Sequence, residues 1–214
     1  MHGRYPDFDV LEQAGHWDEV TRRVVLARLE PPALRFFTEG EAHTLEAFCD
    51  TVLAQDREPR VPVLPFVDAK LFEGHLDGFQ YVDMPGDGDT WRLVARGLDE
   101  AAAGRGARSY HEAGAEDRLA VCEAFAAGRL AGGAWERIPV AHAWVVVMRM
   151  VLAAFYSHPW AWNEIGFGGP AYPRGYMRLG IGQREPWEGD DEFPLDPVPD
   201  VRERGLDHPT EVSE

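Results

Sequence analysis

From Asp18 to Tyr156 apolar residues recur at helical spacing, and no alternating stretch predicts a strand. Thr38-Glu39-Gly40-Glu41 is a capping box, in which hydroxyl and carboxylate each satisfy a first-turn amide. Behind it Ala42, Leu45, Phe48, Cys49, Val52 and Leu53 form one apolar stripe. A second helix starts near Asp87 or Asp89, carries Trp91, Val94, Ala95, Leu98, Ala101 and Ala102 on one face, and stops at Gly104. A third runs from about Glu116 through Leu119, Cys122, Phe125 and Ala126 to Gly128. Shorter helices are expected around Asp18 to Leu29 and Pro65 to Phe72, where prolines crowd the ends. Val140 to Tyr156 is apolar nearly all round, which predicts a helix enclosed by the others. His142 and Arg149 lie seven residues apart on about the same face of it. A buried guanidinium needs a carboxylate, so Arg149 is expected to reach the bundle edge or a partner protein. The pattern predicts an all-α fold: an irregular bundle of about five to six helices at 34–159 around a central apolar helix, preceded by a segment, 1–33, with one short helix.

After His158-Pro159 the pattern ends. Residues 160–214 hold eight glycines and seven prolines, together with Trp160, Trp162, Phe167, Tyr172, Tyr176, Trp187 and Phe193. Disordered linkers avoid aromatic rings, and core-forming segments avoid this density of breakers. A long extended tail lying on a surface is therefore expected. Burial of seven rings falls short of the entropy needed to order the whole segment. Either much of it stays mobile or a large partner contributes contacts, with folding back onto the chain's own bundle as the opposing arrangement. Charge divides the tail: 160–184 holds one acid, Glu164, against Arg174, Arg178 and Arg184, whereas 185–214 holds eleven acids against two arginines. The first part reads as an aromatic docking strip, the second as an acidic solvated end.

Composition narrows the partners. The 214 residues carry 37 acids and 21 bases, a net charge of -16, opposite to what nucleic acid or anionic lipid attracts. The longest apolar stretch, 17 residues interrupted by His142 and Arg149, falls short of a membrane span, so no membrane insertion is expected. Cys49 and Cys122 fall on apolar helix faces and read as buried thiols, with a single disulfide as the alternative. The first residues hold no apolar run. Thr21-Arg22-Arg23 resembles a twin-arginine export signal only until Arg28, Glu30, Pro31 and Pro32 interrupt what should be apolar. Cytoplasmic residence is the expectation.

Catalytic and metal patterns are sparse. No histidine follows a glutamate by three residues, and no His-Glu-x-x-His or Cys-x-x-Cys occurs. Gly166-Phe167-Gly168-Gly169-Pro170 follows a helix, and Pro170 removes an amide that a phosphate cradle would use. His111-Glu112, or His158 with Glu164, could form an acid-base pair. On the second pair rests the alternative of a stand-alone small hydrolase or metal-dependent enzyme.

The order of these features resembles the gluconate 2-dehydrogenase subunit 3 family over roughly residues 34–180. The most specific part places Tyr156, Ser157, Pro159, Glu164, Gly166, Phe167, Gly169, Pro173, Gly175 and Tyr176 where that family has Tyr-Ser-x-Pro, a glutamate, a Gly-aromatic-x-Gly turn and Pro-x-Gly-Tyr. The resemblance implies a non-catalytic bacterial subunit that binds no cofactor itself. It would stabilise and help mature a glucose-methanol-choline oxidoreductase, which carries FAD and oxidises a sugar, sugar acid or alcohol. A cytochrome c subunit often takes the electrons onward. Family members commonly bear a twin-arginine signal and escort the catalytic subunit for export; this sequence departs from that pattern, which favours a cytoplasmic complex. Trp160, Trp162, Phe167, Tyr172 and Tyr176 would then anchor the interface, Arg174 and Arg178 would pair with acids on the catalytic chain, and Arg149 and Glu164 would border the contact.

Overall fold

A computed structural model describes residues 5, 8–75, 78, 80–177 and 185–189. Among them the fold is helical without strands: α1 (Glu19–Leu26), α2 (Glu39–Val52), α3 (Val63–Glu73), α4 (Asp87–Ala103), α5 (Ala115–Ala126), α6 (Val140–Tyr156) and α7 (Pro159–Ile165). Short 3-10 helices occupy Val10–His16, Ala27–Leu29 and Gly133–Arg137.

The capping box forms as its spacing predicts. Glu41 N–H donates to Thr38 Oγ1, and Thr38 N–H donates to the Glu41 carboxylate at 2.9 Å. The approach to α2 is held by Asp68, fully buried on α3. Its carboxylate accepts the backbone N–H groups of Arg35, Phe36 and Phe37 at 2.7, 2.9 and 3.0 Å. A buried carboxylate is tolerable here because three amides satisfy it, and they in turn need it.

One core joins α2 to α6 through Leu45, Phe48, Trp91, Leu98, Phe125, Val147 and Val151. Trp91 is wholly buried, with its indole N–H on the Met150 sulfur at 3.2 Å. Gly97 lets Trp135 cross α4: a Cβ there would stand 2.4 Å from the indole, and the indole N–H donates to Gly97 O at 3.1 Å. Cys49 and Cys122 are free buried thiols, so no disulfide joins them, and burial pushes the Cys122 thiol up to about 11.

Two expectations change. α6 packs against α3, α4, α5 and α7, as a central helix should, but it is not enclosed. Val145, Leu152 and Tyr156 are 47%, 40% and 51% exposed, and their spacing of seven and four residues puts them on one face. Helix α4, with nine buried residues against six on α6, is the more enclosed of the two. Hydropathy cannot separate an apolar face that meets its own chain from one that does not. The second change concerns Pro159–Ile165, which is helical where an extended strip is expected. His158 caps it by accepting Trp160 N–H on Nδ1 at 3.2 Å, Pro159 fills the first turn, and Gly166 ends it at φ 67°. Among the described residues no single helix is long and apolar enough to cross a membrane; α6 and α7 together would be, but they meet at 85°.

Candidate docking site

The aromatic strip divides into an inward and an outward half. Trp160 packs against the main core, and Trp162, 5% exposed, joins Val10, Trp17 and Val25 in a second cluster with Phe8, Leu11, Ala14 and Phe167 around it. Trp162 donates its indole N–H to Tyr156 O at 2.7 Å, and the Phe167 ring meets it edge-on at 5.5 Å. Asn163 ties the lobe to the amino-terminal segment by accepting Val10 N–H at 2.8 Å. Arg28 donates to Ser157 O at 2.5 Å from the other side. The expectation that Trp162 anchors a partner is thereby corrected: its ring lies in the interior of its own chain. Trp160 and Phe167, both half-buried, are likewise engaged inward.

Glycines make this folding-back possible. A Cβ on Gly169, at φ +78°, would meet the Trp17 ring at 2.7 Å; one on Gly168 would meet Trp187 at 2.3 Å. The Gly-aromatic-Gly-Gly run is thus a packing device rather than a phosphate cradle. Arg174 lies with its guanidinium 4.1 Å from the Trp187 ring centroid and donates to Gln13 Oε1 at 3.0 Å, so it too is held by its own chain. Beyond it Tyr172, Tyr176 and Met177 stand 67%, 49% and 81% exposed. Arg178 and residues 190–214 lie outside the described residues.

A groove of about 350 Å³ opens between the end of α6 and the loop after α2. Phe155 and Tyr156 of α6, Leu53 to Pro59 of the loop and Glu164 of α7 line it. Ala54 sits at φ 52°, a left-handed backbone that costs an L-residue roughly 1–2 kcal/mol. Buried Gln55 holds the loop in that shape. Its Oε1 accepts Val61 N–H at 2.7 Å, and its amide donates to Val61 O at 3.1 Å. Arg60 reaches back to Asp50 and Glu58, bracing the far side. Sequence reasoning reaches Glu164 but misses Tyr156, Leu152 and the loop; the nearly all-round apolar circumference of 140–156, broken by His142 and Arg149, is the available signal. Arg149 is half-buried on α6, its Nε shielded from solvent.

The structure does not bring His158 and Glu164 into an acid-base arrangement. His158 is 1% exposed, its Nδ1 is taken by the cap, and burial lowers its imidazole to about 4. Glu164 faces the groove, which His158 does not line. Likewise His111 engages Ser109 Oγ at 3.0 Å while Glu112 pairs with Arg108. His142 stacks on Tyr81 and bonds Asp83 at 3.0 Å. Among the described residues no group of three or more histidine, cysteine, aspartate or glutamate side chains could hold a metal ion.

A family model described as gluconate 2-dehydrogenase subunit 3 matches residues 39–169, well over half of the chain. The match takes in α2 to α7, the groove and the glycine turn; it leaves out the amino-terminal segment and Tyr172, Arg174 and Tyr176. No curated protein and no solved structure matches the chain.

Proposed function

The chain belongs to the gluconate 2-dehydrogenase subunit 3 family, and from that premise we propose that it is a non-catalytic accessory subunit. Its partner in this reading is a glucose-methanol-choline-type flavoprotein that carries FAD and oxidises a sugar, sugar acid or alcohol; a cytochrome c subunit is a further candidate member. The observation that carries the reading is the outward apolar face of α6 inside the family-matched stretch. A helix whose opposite side builds the core gains nothing in water from Val145, Leu152 and Tyr156, whereas exposed apolar side chains on one face, with Arg149 between Val145 and Leu152, suit a protein interface of mixed character. Exposed Tyr172, Tyr176 and Met177 offer a further contact outside the matched stretch, and Arg149 and Glu164 are proposed as partner-binding charges on α6 and α7. Assembly in the cytoplasm is part of the proposal.

The role is stabilisation and maturation of the flavoprotein. It is tested by producing the proposed partner flavoprotein with and without this chain, then measuring bound flavin and melting temperature. The reading predicts higher flavin occupancy and a higher Tm in the presence of the chain. Equal occupancy and Tm in both preparations would refute it.

A further inference from the structure

Resting on that reading, we propose that the groove between α6 and the Leu53–Pro59 loop receives an apolar segment of the flavoprotein that carries arginine or lysine beside an aliphatic or aromatic anchor. Shape comes first. Leu152 and Tyr156 are one helical turn apart and continue the exposed face of α6 into the groove, where Leu53 and Phe155 supply its apolar wall. The loop opposite is fixed by buried Gln55, whose side chain makes two bonds to Val61, and it holds Ala54 in a left-handed backbone. A wall already in place costs little ordering on binding, so its strained shape can serve recognition.

Charge selects the occupant. Three carboxylates, Asp56, Glu58 and Glu164, line the groove against one guanidinium, Arg57. The Asp56 side chain is 81% exposed and pairs at 3.4 Å with similarly exposed Arg57, so it can meet an incoming cation, while Glu58, 71% exposed, is bonded by Arg60 and adds its charge to the rim. The same carboxylates disfavour the other occupants. A second copy would set two such rims together on chains of net charge -16, and the chain's own last thirty residues hold eleven acids against two arginines. An apolar anchor flanked by basic residues meets both requirements at once.

The test uses the co-produced flavoprotein and the full-length chain. Leu152→Ala and Tyr156→Ala should each weaken the complex at least tenfold while leaving the Tm of the free chain near wild type, since both side chains are about half exposed. Asp56→Arg should weaken it three- to tenfold, more at low salt than at high. Leu119→Ala, exposed on α5, serves as the reference and should change affinity less than twofold. A photo-crosslinker replacing Leu152 should join a flavoprotein segment with arginine or lysine within about four residues of the site. If the complex forms and Leu152→Ala and Tyr156→Ala leave affinity unchanged, the groove is not the contact, although the accessory role stands. Crosslinks only to this chain, or to a segment without basic residues, overturn the assigned occupant. If wild-type chain and flavoprotein do not associate at all, the accessory reading fails and this inference with it.

Discussion

The main core and the second cluster are held together in different ways. The core of α2 to α6 rests on bulk: Phe48, Trp91, Leu98 and Phe125 are wholly buried, and their neighbours lie on helices whose faces are written in the local pattern. The second cluster is small, joining Val10, Trp17 and Val25 to Trp162 across more than 130 residues of chain. It depends on close approach at Gly168 and Gly169 and on a few hydrogen bonds: Asn163 accepts from Val10 and donates to Asp9, and Arg28 donates to Ser157 O. A domain core therefore tolerates local error better than this lobe does, while the lobe can loosen without dissolving the bundle.

The sharpest way to break that contrast is to remove one tryptophan from each region. Trp91→Ala should lower global stability by about 3–5 kcal/mol and expose the whole bundle to unfolding, measured by chemical denaturation. Trp162→Ala should cost about 3 kcal/mol, the low end for a buried tryptophan, within its lobe and raise amide exchange across residues 8–29, with α2 and α4 still protected. Equal loss of protection throughout would mean that the two regions unfold as one. Glycine substitutions give a smaller effect. Gly97→Ala, normally favourable in a helix, should instead destabilise by about 1–3 kcal/mol because the Trp135 indole must move. Gly169→Ala should cost about the same, from both its φ of +78° and the Trp17 ring, with the loss confined to the lobe. Denaturation of the first and exchange mapping of the second would check them.

The gentlest probe is pH. Burial holds His158 at about 4 against an ordinary 6.5, so between those values the unfolded chain binds the proton and the folded chain does not. This group's contribution is therefore complete above about 6.5, is lost as pH falls, and levels off below about 4. His158→Asn keeps an acceptor for Trp160 N–H and removes the titration. Its stability should fall less steeply than wild type from pH 6.5 to 4, and parallel curves would show that the imidazole is not the sensor.

The same contrast explains what could be read from sequence. Helix α2 announces itself by cap and periodicity together. Helices α4, α5 and α6 have no side-chain cap, α4 starting behind Gly86 rather than being capped by Asp87 or Asp89, and announce themselves by apolar periodicity alone. Asp68 does not: nothing nearby shows that its carboxylate gathers three amides from Arg35 to Phe37, over 30 residues upstream. Nor does the lobe. Trp162 and Phe167 look like docking residues until Trp17 and Val10 are placed against them, and that pairing depends on tertiary contact across most of the chain. The candidate docking site was half legible. The apolar circumference of 140–156 is plain in sequence, but whether Tyr156 turns inward or outward is decided by where α3, α4, α5 and α7 leave a gap.

The central claim, that this chain is one member of a larger oxidoreductase assembly, is tested most directly by weighing it. Purified through a tag on this subunit after co-production with the proposed partner flavoprotein, it should emerge as a stoichiometric complex whose mass is the sum of both chains and whose visible spectrum is that of bound flavin. Emergence at the 24.0 kDa mass of the single chain, colourless, from cells that contain the soluble flavoprotein would contradict the account.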